Sequence, residues 1–502
     1  MLRRPGAGIP WGWTASFLVA ALALGIGAGL RPGFAFAAAA AVPLTLAVFR
    51  WPGRSAVLVL LWGTMKYVVI RLLPAASGLL VQSEIAIVAL VAIVALARVG
   101  QRVRGKGASL GWLGLFAGFV IAAFASWLLN RGDPLALFAG VRSLVTMPVL
   151  ASSLLVVGNE DDFALLRKGG IALTCLQVPI ALGQFVYGGL SSNVDLVNGT
   201  LGYGGSNLLG IWMLAAAAGC YYVFLRGNGV RWAVASGVFM MIVVMSGARL
   251  CMLALPVVVV SLGIYAFFRS DAALVSARLV TSVAVMTVLV VGLVVGVYAG
   301  YQRAGIHIGT PLSDLNPTSL FERQSQIGGY SVPRFAYLTY GWQFLKEQSP
   351  VWLLGTGPAS AGSGAALAVQ GEYDATQFAV GLRLLSEGLA TNAGSSRVIT
   401  QTSQFMSTLV EYGPVGVALI MAAYLVVGVQ TGRRLGRVDR GRPHQALLVG
   451  AFPVLLVFVT FGTLYGVTWE GLNIVGLCFW WTVLLSGAAY TEVAAAHEER
   501  AA

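Results

Sequence analysis

Residues 279–299 read LVTSVAVMTVLVVGLVVGVYA, and residues 404–429 read QFMSTLVEYGPVGVALIMAAYLVVGV. Each run is long enough to cross a bilayer, which takes roughly 20 apolar residues. Between them lie residues 300–403, the only long polar interval in the sequence. The pattern implies a membrane scaffold holding one large polar loop on one side.

Composition points the same way. The chain has 502 residues, of which 58% are hydrophobic and 10% charged, and its mean hydropathy is +0.82. No soluble chain of this size needs so much apolar surface. Backbone groups inside a bilayer must be satisfied internally, so the expected fold class is all-α, a polytopic transmembrane helix bundle. The four cysteines (Cys175, Cys220, Cys251, Cys478) all fall in apolar runs, so no disulfide framework, metal site or cofactor is expected. The net charge of +13 invites a nucleic-acid reading. The basic residues, however, concentrate in alternate short loops, which is the positive-inside pattern, and no nucleic-acid partner is expected.

Cut at charges and at Gly/Pro turns, the sequence gives fourteen candidate spans: 11–30, 33–49, 56–73, 84–97, 109–129, 135–157, 169–187, 206–225, 232–248, 250–268, 279–299, 404–429, 446–466 and 472–488. The second and fourth are short, so re-entrant or tilted pairs would reduce the count to twelve. Arg3, Arg4 and the small-residue stretch Ala35–Phe36–Ala37 imitate a cleavable signal peptide. Cleavage there would strand a segment too short to span, so an uncleaved first hairpin is expected. The division is then 1–299 as an N-terminal bundle, 300–403 as the loop, and 404–502 as C-terminal helices and tail. With the N-terminus in the cytoplasm, Arg50, Arg54, Arg98, Arg167, Lys168, Arg226, Arg269, Arg433 and their basic neighbours fall inside. Loop 300–403 then faces outward and both termini face inward.

The loop carries too many aromatics for a solvated linker, among them Tyr330, Phe335, Tyr340, Trp342 and Trp352. Phe335, Leu338, Trp342 and Leu345 recur near helical spacing, which predicts an amphipathic helix between 334 and 354. Residues 355–364 read as a turn. The loop is therefore expected to contain short helices.

Charges inside spans are functional candidates because burying one costs about 2.5–3.5 kcal/mol even on the lenient scale. Lys66 falls near the middle of its span, where it either pairs with an acidic neighbour or a carbonyl, or serves a ligand. Arg71 snorkels to the span end. Arg142 lies near the outer end of the sixth span and can snorkel, pair with Asp133, or present a guanidinium to a ligand. Arg249 ends Met245–Ser246–Gly247–Ala248–Arg249, a tight outer turn that needs no arginine for topology. Two outward-facing arginines would suit a diphosphate, since guanidinium groups bind phosphate oxygens in pairs. Soluble-enzyme motifs such as G-x-x-x-x-G-K-[ST], H-E-x-x-H and G-x-S-x-G are missing from the sequence.

Several stretches resemble the O-antigen ligases and the O-antigen and exopolysaccharide polymerases of bacterial inner membranes. Gly199–Thr200–Leu201–Gly202–Tyr203 with Ser206–Asn207–Leu208–Leu209–Gly210 is similar to that family's glycine-rich approach to a span. Met245 to Arg249 resembles its arginine turn. Arg334, Trp342, Pro350 and Leu354–Gly355–Thr356–Gly357–Pro358 resemble its loop helix, and Leu409–Val410–Glu411–Tyr412–Gly413–Pro414–Val415–Gly416 resembles the opening of its next span. The matches keep the family's order across roughly residues 110–430. Where the ligases carry a His–Asn pair, this chain has Thr402 and Ser403, neither of which is a base. A base would have to come from Glu411, Glu387, Asp374, Glu372 or His307, and this departure favours a polymerase.

The resemblance implies a metal-independent glycosyltransferase. Its donor would be a polyprenyl-diphosphate-linked glycan and its acceptor a glycan or lipid. Arg142 and Arg249 would act on the diphosphate, with Glu411 as a catalytic candidate. Arg334, Lys66, Arg397 and Arg323 are substrate-binding candidates. Membrane lipids and other polysaccharide-assembly proteins are the further partners implied. Two other classes stay open: a transporter of lipid-linked glycans, and a non-catalytic scaffold.

Overall fold

The computed structural model describes residues 45–73, 77–102, 111–188, 197–202, 205–269, 280, 292, 295, 324–327, 330–333, 342, 345–346, 352–360, 404–438, 442–464, 469 and 473–501. Eleven long helices are found among them. They are α1 (Pro52–Leu72), α2 (Ser77–Arg102), α3 (Gly111–Asn130), α4 (Pro134–Val157), α5 (Glu160–Gly188), α6 (Ser206–Leu225), α7 (Val230–Met245), α8 (Arg249–Arg269), α9 (Gln404–Val438), α10 (Pro443–Thr460) and α11 (Ile474–Ala501). Eight of the described helices are long and apolar enough to cross a membrane, so the chain is a multi-pass membrane protein. The short apolar run 84–97 is part of a full 26-residue helix. The expected spans 11–30 and 33–49 (apart from 45–49) and most of 279–299 lie outside the described residues.

In the polar interval, where short helices are expected, β1 (Gln324–Ile327) and β2 (Tyr330–Pro333) also pair as an antiparallel hairpin, with Ile327 opposite Tyr330. In β2, Tyr330–Ser331–Val332 alternates apolar and polar residues, a period of two that suits a strand. The amphipathic helix predicted for 334–354 falls mostly outside the described residues, and Trp342, Leu345 and Lys346 are helical there.

The core forms around α6, which packs on α7, α8, α10 and α11. Its sequence explains why. The run Ala215–Ala216–Ala217–Ala218–Gly219 leaves no side-chain bulk, so α10 approaches to backbone distance. A Cβ at Gly450 would lie 2.5 Å from the Ala218 carbonyl and 2.8 Å from the Gly219 Cα. Beside this crossing, Trp112, Phe116, Tyr424, Phe479 and Trp480 interlock, and Tyr424 stacks on Trp469 at 5.9 Å.

Successive helices place their turns at alternating ends. At one end Arg54 pairs with Asp162, Arg167 meets His444, the Arg269 guanidinium donates to the Gly436 carbonyl, and Arg437 donates to the Tyr490 hydroxyl. This is the basic end. The other carries the α3–α4 turn, the α7–α8 turn and residues 352–360, and is the loop end.

Candidate functional site

The loop end is organised by a break in α9. Pro414 lacks an N–H, so the carbonyl of Val410, four residues earlier, loses its helical donor. Gly413 sits at φ 66°, ψ −179°, which ends the first helical piece and restarts the second. Freed backbone groups at membrane depth need other partners, and residues 353–357 supply them. The Thr356 N–H and hydroxyl donate to the Val410 carbonyl at 2.8 and 3.1 Å. The Gly357 N–H donates to the Glu411 carbonyl at 3.0 Å, and the Val415 N–H to the Leu353 carbonyl at 3.3 Å. Only glycine permits the approach. A Cβ at Gly355 would lie 2.5 Å from the Glu411 carbonyl carbon, and one at Gly413 would meet the Leu353 carbonyl.

Side chains complete the seat. Asn130, the last residue of α3, donates to the Gly355 carbonyl at 3.1 Å and to the Ser126 carbonyl at 2.7 Å. Glu411 is 1% exposed, and its Oε2 accepts the Ala359 N–H at 3.1 Å. Tyr412 packs on Phe119 at 5.0 Å, and its ring reaches Gly140 of α4, where an added Cβ would also lie 3.0 Å from Pro358. The structure thus brings together Leu354–Pro358 and Leu409–Gly416, two of the sequence motifs. It gives Glu411 the task of holding the turn. Asn130 was missed by sequence reasoning; its signal was a polar residue ending an apolar span directly before the Arg131–Gly132–Asp133–Pro134 turn.

A second constellation joins the other two motifs. The Gln184 Oε1 accepts the Asn198 and Gly199 N–H groups at 3.0 and 2.7 Å. Gln177 and Thr200 bond reciprocally, and the Thr200 hydroxyl donates to the Thr64 carbonyl of α1 at 2.6 Å. Gly210 of α6 lies under the α7–α8 turn, where an added Cβ would be 3.2 Å from the Ser246 Oγ and would strike Ala248. Gly247 in that turn has φ 66°. Gln177 and Gln184 were also missed by sequence reasoning, although two glutamines inside an apolar span were the available clue.

The sequence-predicted charges fall as follows. Asp133 caps α4 by accepting the Leu135 N–H at 2.9 Å, with Pro134 at the first helical position. It does not pair with Arg142. Arg142 lies eight residues into α4, roughly 12 Å from the helix start. It is half-buried, and among the described residues no acid is paired with its guanidinium. Two residues beyond Gly140, it stands about 200° round the helix from the docked turn. Phe138, one turn earlier on its own side, is 59% exposed. Arg249 opens α8, which packs chiefly on α6 and α7, whereas α4 packs on α1, α2, α3 and α11. The two arginines therefore sit on helices with different principal neighbours.

Of the alternatives open for Lys66, the structure shows an ion pair: its Nζ lies 2.9 Å from the Glu84 Oε2 across α1 and α2. It sits six residues from the C-terminal end of α1, roughly 9 Å along the helix axis. Arg71, in the last turn of α1, is exposed. Arg334, Arg397, Arg323, His307, Thr402 and Ser403 lie outside the described residues, as do Glu372, Asp374 and Glu387. Among the described residues no group of three metal-ligating side chains occurs. No family model matches the sequence, and no curated protein matches it.

Proposed function

We propose that the chain is a membrane glycosyltransferase. It would polymerise or transfer a polyprenyl-diphosphate-linked glycan at the outer face of the bacterial cytoplasmic membrane, with the basic end toward the cytoplasm. The observation that supports this reading most is Arg142: a half-buried guanidinium at the loop end, on a membrane-facing flank, with no carboxylate partner among the described residues. A cation kept at that cost suits an anionic group that arrives from the membrane. A diphosphate on a polyprenyl chain is such a group.

In this reading the acceptor hydroxyl attacks the anomeric carbon, and the bond from that carbon to the diphosphate oxygen breaks. The acceptor proton passes to a base, and polyprenyl diphosphate leaves with its charge held by Arg142 and Arg249. Glu411 keeps the 353–360 turn in place rather than reaching the acceptor. The base is then sought among His307, Glu372, Asp374 and Glu387. Arg334, Arg323 and Arg397 are assigned to the glycan or its phosphate.

The experiment supplies purified protein with a polyprenyl-diphosphate glycan and sizes the products. Elongated chains are the expected result, with Arg142→Ala and Arg249→Ala each lowering the rate by roughly 10²–10³. Transfer of one intact block to a lipid or protein acceptor points to a ligase. Binding of donor without turnover by wild type points to the transporter or scaffold.

A further inference from the structure

A cavity of about 300 Å³ lies at the opposite end of the bundle from the docked turn, between α5, α6, α7, α10 and α11. Its walls are apolar, with Trp212, Trp232, Phe239, Leu455 and Trp481 among them. On α5 it is bordered by Ile171 and Cys175, both exposed on the membrane-facing surface. Along α10 it runs from His444 to Leu455, a depth on the order of 16 Å.

Its basic end is chemically different from its walls. Arg167 and His444 both line it, with the Arg167 Nη1 3.3 Å from the His444 Nε2. Arg231 lies over the Trp232 ring, 5.8 Å from its centre. Among the described residues no carboxylate is paired with Arg167. The buried acid nearest it on α5, Asp162, is paired with Arg54. A tall apolar slot open toward the membrane, with a guanidinium at its basic end that has no carboxylate partner among the described residues, is complementary to one class of molecule.

We propose that this cavity is a binding site for an anionic diacyl phospholipid. One acyl chain fills the apolar slot, and the headgroup phosphate is held by Arg167 beside His444. The site is independent of the transferase reading because it shares no residue with the loop end.

Native mass spectrometry of the full chain in detergent, titrated with phosphatidylglycerol or phosphatidylcholine of identical acyl chains, tests it. The expected result is a first phosphatidylglycerol bound on the order of fivefold more tightly than phosphatidylcholine. Arg167→Gln removes the charge and Ala216→Phe fills the slot, and each brings the two lipids to parity. Ala235→Phe replaces Ala216→Phe if that variant is not monodisperse. Equal affinity of the two lipids for wild type, or a preference that survives either kind of variant, overturns the proposal.

Discussion

The two ends of the bundle are held by different means. At the basic end the contacts are long side chains reaching across helix termini: Arg54 is 55% exposed and stands 3.9 Å from Asp162, and Arg437 reaches Tyr490 from an exposed position. At the loop end the closest contacts are backbone to backbone, between Gly355, Thr356 and Gly357 on one side and Val410, Glu411 and Gly413 on the other, with side chains such as Asn130 added around them. Flexible cations in a high-dielectric layer tolerate change. Two glycine backbones in contact do not, because neither has atoms that can move aside. The loop end therefore holds a fixed geometry, while the basic end tolerates change.

That contrast can be broken at its strongest point first. Gly413→Ala puts a Cβ into the Leu353 carbonyl and forces a non-glycine residue to positive φ, so a loss of roughly 3–4 kcal/mol is expected. Thermal unfolding in detergent and faster proteolysis at 352–360 would register it; an unchanged unfolding temperature would erase the distinction between the ends. Lys66→Met comes next, since it leaves the buried Glu84 without its cation, at a cost of about 2–3 kcal/mol after allowing for partial exposure. The double variant Lys66→Met/Glu84→Leu should regain most of that in denaturant titrations. If stability returns while glycan transfer does not, Lys66 belongs to the substrate site.

Glu411→Gln sharpens the comparison by separating positioning from proton transfer. A glutamine oxygen still accepts the Ala359 N–H, so stability should fall by less than about 1 kcal/mol. Transfer rate should stay within roughly threefold of wild type, whereas a loss of 10² or more would make Glu411 the base. A comparably small effect belongs to the basic end. Arg54→Ala should cost about 1 kcal/mol in the same titrations, because the guanidinium is exposed and 3.9 Å away and the buried Asp162 still accepts the Asn159 N–H. A larger loss would show that end to be as exacting as the other.

Much of this was legible in the residues. Span 206–225 reads the same in sequence and structure, and span 135–157 differs by one residue, because apolar length and the flanking Asp133–Pro134 and glycine turns are local signals. The motif positions in the site were legible too, since Gly355, Glu411 and Gly413 stand in stretches that the resemblance singled out. The mutual seating of those stretches was not. Gly355 and Glu411 are 56 positions apart, and the kink at Gly413 is stable only because the turn supplies the donors that Pro414 removed. Nor could Asn130, Gln177 and Gln184 be recognised as anchors, because their acceptors and donors lie on other segments.

By itself, then, the sequence determined that the chain crosses a membrane many times, where most of the crossings fall, and which turns carry unusual residues. Those properties depend on hydropathy and backbone preference over a few neighbouring positions. Tertiary structure alone decided that Lys66 is neutralised by Glu84, that Glu411 holds a turn, that Arg142 flanks rather than faces that turn, and that a β-hairpin stands in the polar loop. Each of these is a pairing between distant segments, and its free energy exists only once both partners have been brought together.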